Sequence, residues 1–269
     1  MTTRPFAALR RTLSAPWLIL GLGLVHLAIA AAVATPVRAA FRAAMGPYFH
    51  EGANRMLGPL LELMGQHRAA PAALMSALVV TAVVAAVFGP LLAGAAIKRL
   101  AGPCKVADQA AAAATHYPAF IVIGVYGVLL RALLLLVAAA LGGIHVVAQV
   151  LLSVAVLTYA NAVVDLTRAR TALAAARGYH PKTFLRAATT VAQEPLLWLR
   201  SATLSLLAFA AAAAIVLVTL HGFGTAWSPW AARGLGLFAT FLALARLAVA
   251  VDRTSQPSGP DPTITRSDA

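Results

Sequence analysis

The chain has 269 residues, of which 61% are hydrophobic and only 11% charged, with a mean hydropathy of +0.84. A soluble domain carries about 25% charged residues, so this composition argues against a globule that covers itself with polar groups, and the apolar surplus needs lipid as its solvent. The net charge of +13, from 21 Lys and Arg against 8 Asp and Glu, falls between long apolar runs and forms no aromatic-interleaved basic face; it speaks against a nucleic-acid partner and for membrane topology.

The first long apolar run covers residues 16–34, behind Arg4, Arg10 and Arg11. It is long enough to cross a bilayer, which takes about 20 residues. Ala32-Val33-Ala34 resembles a signal-peptidase site, but the apolar core exceeds a usual signal sequence and more spans follow, so it reads as a retained helix. Residues 36–70 hold short amphipathic pieces broken by Gly46-Pro47 and Gly58-Pro59, which read as interfacial helices. His50, Glu51, Glu62 and His67 lie in this loop. They form the one grouping of metal-type ligands, without a metal-site motif, and no cofactor is expected.

The second and third spans cover residues 72–97 and 119–141, joined by a segment with Lys98, Arg99, the single cysteine Cys104 and Lys105. One cysteine supports neither a disulfide framework nor a Cys-based metal site within the chain. Arg131 stands deep inside the third span. A charge near the bilayer centre costs about 2.5–3.5 kcal/mol on insertion scales. Arg131 therefore either binds an anionic lipid or solute in a wet cavity, or packs against polar groups such as Gln149, Asn161 or His26. His26, mid-way along the first span, suits a hydrogen bond across helices better than a proton relay, because no acidic residue shares its depth.

The fourth span covers residues 145–164 and its helix is expected to continue past Asp165 towards Gly178. A second short helix from Lys182 to Glu194 presents Phe184, Leu185, Ala188, Val191 and Ala192 on one face. Together these segments form a basic elbow with Arg168, Arg170, Arg177, Lys182 and Arg186, expected to lie along the membrane surface against anionic lipids. The fifth and sixth spans cover residues 196–220 and 229–251. Arg246 lies near the inner end of the sixth span at the depth of Asn161 and Asp165, which makes an Asp165–Arg246 ion pair reasonable.

The continuous, non-alternating runs read as helices, since only helices and closed barrels satisfy the backbone in lipid. The sequence thus predicts an all-α, polytopic membrane helix bundle: a single domain over residues 1–253 with six transmembrane helices and interfacial helices, then a disordered tail over residues 254–269, rich in Pro, Ser, Thr and Asp. With six crossings, most Lys and Arg share the side of both termini, and the opposite side keeps Arg38, Arg42, Arg55, Arg68 and Arg233. The positive-inside rule then puts both termini in the cytoplasm of a bacterial inner membrane.

Asp165-Leu166-Thr167-Arg168-Ala169-Arg170 with Gly178 matches half of the CDP-alcohol phosphotransferase signature. The glycine after the first Asp is replaced by Leu166, and the later metal-binding carboxylates are replaced by Lys182 and Arg186. A divalent metal needs carboxylate oxygens, so the match carries no activity. No H-E-x-x-H, G-x-S-x-G or P-loop occurs.

The stretch Val163-Val164-Asp165-Leu166-Thr167-Arg168-Ala169-Arg170 leaving span four, the elbow after it and the long loop after span one resemble a loose group of bacterial six-helix membrane proteins. That group is akin to the membrane domain attached to some glycerophosphodiester phosphodiesterases. No phosphodiesterase catalytic domain is present, so the resemblance implies layout and no activity. The expectation is a non-enzymatic membrane protein that organises a partner or handles an anionic lipid or solute. The alternative is a six-helix permease subunit working with a separate ATPase, with residues 182–194 as its coupling helix.

Overall fold

Ala/Leu/Val runs with few breakers propagate as helix, and every element of the computed structural model is helical across the residues it describes, 7–28, 69–141, 146–174, 181–221 and 228–255. In chain order these are α1 (Ala7–Leu13), α2 (Pro16–Ala28), α3 (Ala69–Ala101), α4 (Val106–Leu141), α5 (Val146–Leu173), α6 (Pro181–Gln193), α7 (Pro195–His221) and α8 (Ser228–Ser255). No strand occurs among the described residues.

Four helices, α4, α5, α7 and α8, are long and apolar enough to cross a membrane. Their outward faces are hydrocarbon: Leu129, Leu136, Leu151 and Leu206 are all exposed. No protein covers these groups, and lipid does so without cost. The chain is a multi-pass membrane protein. Of the other two predicted spans, the second lies inside α3, which runs for 33 residues through Pro90. The first is α2 as far as Ala28, and its remainder falls outside the described residues. The predicted interfacial loop, the His50, Glu51, Glu62 and His67 grouping, and the tail beyond Ser255 also fall outside them.

The structure departs from the sequence reading at three places. The third span starts as helix at Val106, far ahead of residue 119, because Asp108 Oδ2 accepts the Lys105 N–H at 3.0 Å and caps the helix there. The helix of the fourth span ends at Leu173, short of the predicted stop near Gly178. On α6 the buried residues are Phe184, Ala187 and Val191. Leu185 and Ala192, expected on that face, are instead exposed. Glu194 joins α6 to α7: its N–H donates to Thr190 O at 2.9 Å, and its carbonyl accepts from Leu197 N at 2.9 Å, with Pro195 pre-set for the first helical position.

The helix α8 is the hub. It packs against α7 and α5 and also touches α3 and α1. The core is not spread evenly along the bundle. Ile97, Leu100, Phe120, Ile123, Val163, Leu166, Ala248 and Val251 form one buried cluster together with Phe184 and Val191 of α6. This cluster gathers at the end of the bundle where α3 ends and α4 begins, hereafter the basic end. Towards the other end the helices present exposed apolar faces. Protein contacts therefore hold the basic end, and lipid solvates the rest.

Candidate functional site

Small residues bring α4 and α5 together. A Cβ on Gly127 would lie 2.6 Å from Val164 Cγ2, an overlap that glycine avoids. One turn away, Arg131 Nη2 donates to Asn161 Oδ1 at 2.7 Å. Of the polar partners expected for Arg131, the structure selects Asn161. Gln149 is exposed on α5, and His26 is engaged elsewhere: its Nδ1 lies 3.1 Å from Thr240 Oγ1 on α8. Thr240 donates its own hydrogen to Gly236 O at 3.0 Å, so the hydroxyl oxygen accepts from His26 Nδ1–H.

One turn beyond Asn161, Asp165 faces α8. Arg246 Nε donates to Asp165 Oδ2 at 2.6 Å, and Arg246 Nη1 donates to Ser205 Oγ of α7 at 3.3 Å. The pair is well shielded, with the Asp165 side chain 7% exposed and that of Arg246 23%. Arg246 thus ties α5, α7 and α8 together. Beside the pair lies a cavity of only about 10 Å³, lined by Asp165, Ser201, Arg246 and apolar neighbours.

Arg168 departs most from the sequence reading. It was expected on the surface elbow, yet it turns into the bundle. Its guanidinium carbon lies 5.9 Å from the centre of the Phe120 ring, and a Cβ on Gly124 would stand 3.9 Å from its Nη2. Its Nε is buried without a hydrogen-bond partner among the described residues. Arg168 interacts electrostatically with Asp165, Arg131 and Arg246, and Arg131 interacts with Asp165 and Arg246. Three guanidinium groups therefore interact with one carboxylate, and of these Arg246 alone is bonded to it. In an interior of low dielectric such an excess of charge is costly.

The remaining elbow cations divide. Arg170 Nη2 donates to Thr190 Oγ1 at 2.9 Å and clips α6 to α5, helped by Tyr159 Oη donating to Ala188 O at 2.9 Å. Lys182 and Arg186 are exposed on α6. Arg177 lies outside the described residues.

Two ion pairs were not anticipated from the sequence. Arg253 grips Glu194 in a bidentate fork, with Nε–Oε2 at 2.7 Å and Nη2–Oε1 at 2.5 Å. Arg11 Nη2 meets Asp252 Oδ1 at 2.9 Å and fastens α1 to α8. The signal was faint: adjacent Asp252 and Arg253 at the end of a span, with acids scarce enough that each was a candidate partner.

No protein-family model matches the chain, and no curated protein or solved structure matches it. The site is therefore read from its own chemistry. Among the described residues no group of three or more His, Cys, Asp or Glu side chains is placed to hold a metal ion.

Proposed function

We propose that this protein crosses the bacterial cytoplasmic membrane six times, with both termini in the cytoplasm, and that it handles an anion at the Arg131–Arg168–Arg246 cluster without covalent chemistry. The crossing count adds α2 and α3 to the four long apolar helices. The same count is implied by the resemblance to the loose group of six-helix membrane proteins. Lys98, Arg99 and Lys105 at the basic end, with Arg10 and Arg11 of α1, favour that end as the cytoplasmic one. Reporter fusions after residues 36, 104 and 224 check this arrangement. Activity of a periplasmic reporter is expected after 36 and 224 only; activity after 104 would refute it.

The observation that carries the anion reading is Arg168, whose buried Nε finds no partner among the described residues while two further guanidinium groups interact with the same carboxylate. A phosphate or carboxylate supplies the missing charge and acceptor oxygens together. It can arrive as a lipid headgroup or as a free solute. The test is thermal unfolding of the detergent-solubilised protein with and without glycerol 3-phosphate, and with and without a short-chain phosphatidic acid. A ligand present at a hundred times its Kd stabilises by about 2.7 kcal/mol, which for a chain of this size moves Tm by roughly 5–10 °C. The wild type is expected to show this gain, and Arg168→Leu is expected to lose it. A response to both ligands indicates solute handling, and a response to phosphatidic acid alone indicates a headgroup. Equal gains in wild type and Arg168→Leu would exclude the cluster as the binding site.

A further inference from the structure

The helix α6 and the middle of α4 enclose an open apolar groove of about 330 Å³, lined by Tyr126, Leu129, Leu130 and Leu133 of α4 with Phe184 and Leu185 of α6. At its base the Tyr126 and Phe184 rings meet, with centroids 5.7 Å apart. The groove is not part of the arginine cluster, whose side chains do not line it.

Three observations say what fills it. First, its walls carry large exposed side chains, with Leu129 59%, Leu133 58% and Leu185 66% exposed, in a segment of α4 that is apolar enough to cross a membrane. Second, the far flank of α6, beyond Leu185, carries Lys182 and Arg186, both exposed. An amphipathic helix with a buried apolar face and cationic flank is the type that lies in the headgroup layer. Third, the depths agree. The level of α6 along α5 is bracketed by its contacts with Tyr159 and Arg170. From Val146 to that level is about 28 Å of helix, close to the roughly 30 Å hydrocarbon thickness. The groove climbs from Tyr126 to Leu133, about 10 Å, from the headgroup level into one leaflet.

We propose that this groove is a binding site for an anionic phospholipid of that leaflet, with the phosphate-bearing headgroup on Lys182 and Arg186 and one acyl chain between α4 and α6. It rests on the membrane embedding alone and not on the anion cluster, so either can fail without the other. The cations select anionic over zwitterionic headgroups. The groove adds shape recognition, which an amphipathic surface helix alone does not provide. The occupant is a lipid and not a free phosphate ester, because the groove offers a headgroup nothing and a hydrocarbon chain everything.

The test uses the full-length protein reconstituted in vesicles of phosphatidylcholine and phosphatidylglycerol at 3:1, extracted in mild detergent and weighed by native mass spectrometry. One retained phosphatidylglycerol is expected, with the retained ratio of phosphatidylglycerol to phosphatidylcholine on the order of tenfold above the ratio in the vesicle, as two surface cations provide. Lys182→Ser with Arg186→Ser is expected to bring the retained ratio down to that of the vesicle. Leu133→Trp, which fills the groove and leaves both cations in place, is expected to reduce it as well. Millimolar glycerol 3-phosphate is expected to displace nothing. Equal retention of the two lipids by the wild type overturns the proposal, and so does unchanged retention in the Leu133→Trp variant. If the double variant does not fold, the Leu133→Trp variant decides.

Discussion

Asp165→Asn is expected to lower the thermal midpoint of the solubilised protein by roughly 10 °C, more than removal of its direct partner. Asp165 is nearly isosteric with asparagine, so packing is conserved and the change is one of charge. Breaking a buried ion pair from one side costs about 3–5 kcal/mol, because the partner remains buried and uncompensated. Each kcal/mol moves Tm by about 2–4 °C in a chain of this size. Here the loss extends past one partner, since Arg131 and Arg168 share the same carboxylate with Arg246. Without it, three guanidinium groups repel one another with uncharged polar neighbours such as Asn161 and Ser205 in place of a counter-charge. Arg246→Leu, by contrast, leaves Asp165 with two cations nearby and reduces the excess charge. It is expected to cost less than Asp165→Asn, although it removes the shortest contact in the site. A thermal shift ranking with Arg246→Leu as the more damaging change would mean that Asp165 belongs to Arg246 alone and that no shared cluster exists.

That asymmetry bears on how the bundle is assembled. Arg11–Asp252 and Arg253–Glu194 sit at the basic end and are partly exposed, with 35% and 20% exposure for the first pair. Pairs of this kind contribute about 0.2–1 kcal/mol each and orient helices more than they stabilise them. The deeper tier around Asp165 is balanced within itself only in part. Hydrophobic burial at the same end, through Phe120, Ile123, Leu166 and Val251, holds the helices together despite the excess charge. An electrostatically unfavourable cluster is thus carried on the best-packed part of the molecule.

The membrane class of the fold was legible because apolar content is a bulk property: continuous runs of apolar residues admit no other solvent. The ends of α7 and α8 fell within a few residues of the reading for the same reason, with Pro195 and Ser228 marking where they start. The start of α4 was not legible. Ala110 to Ala114 are weakly hydrophobic and add little to a membrane-span signal, yet they propagate helix, and a single side-chain cap at Asp108 fixes the beginning. Within the candidate site, Arg131, Asn161, Asp165 and Arg246 stood out because polar residues in hydrocarbon are conspicuous and need partners. Arg168 did not. It follows the predicted membrane boundary in a run of cations, and a linear reading assigned it to the surface with Arg170. Its direction is set by helical phase: Val164, Asn161 and Arg168 share the α5 face that meets Gly127, Arg131 and Gly124 of α4. Treating residues 161–170 as one helix and asking which face each occupies would have separated Arg168 from Arg170.

The glycines of the long helices supply a second large effect, and one whose sign depends on position. Gly94→Ala is expected to destabilise the protein, and Gly234→Ala to stabilise it. In an unobstructed helix the exchange gains about 0.5–1 kcal/mol, since glycine has more backbone freedom to lose on folding. Gly234 on α8 has nothing within 4 Å of a new Cβ, so that gain is expected in full. At Gly94 on α3 the Cβ would lie 2.9 Å from the Ala113 Cα of α4, with Ala112 O and Ala113 N each at 3.5 Å. These are backbone atoms and cannot rotate aside, so α3 and α4 must separate. Overpacking of this kind costs about 1–3 kcal/mol, and here the separation also opens the contact that buries Ile97, Leu100, Phe120 and Ile123, all at most 2% exposed. Gly94→Leu should therefore exceed Gly94→Ala and lower Tm by roughly 10 °C. Its effect should also reach the arginine cluster, because Phe120, on which the Arg168 guanidinium rests, moves with α4. Thermal unfolding of the three variants decides the matter. A Gly94→Ala protein as stable as Gly234→Ala would show that α3 and α4 do not approach backbone to backbone.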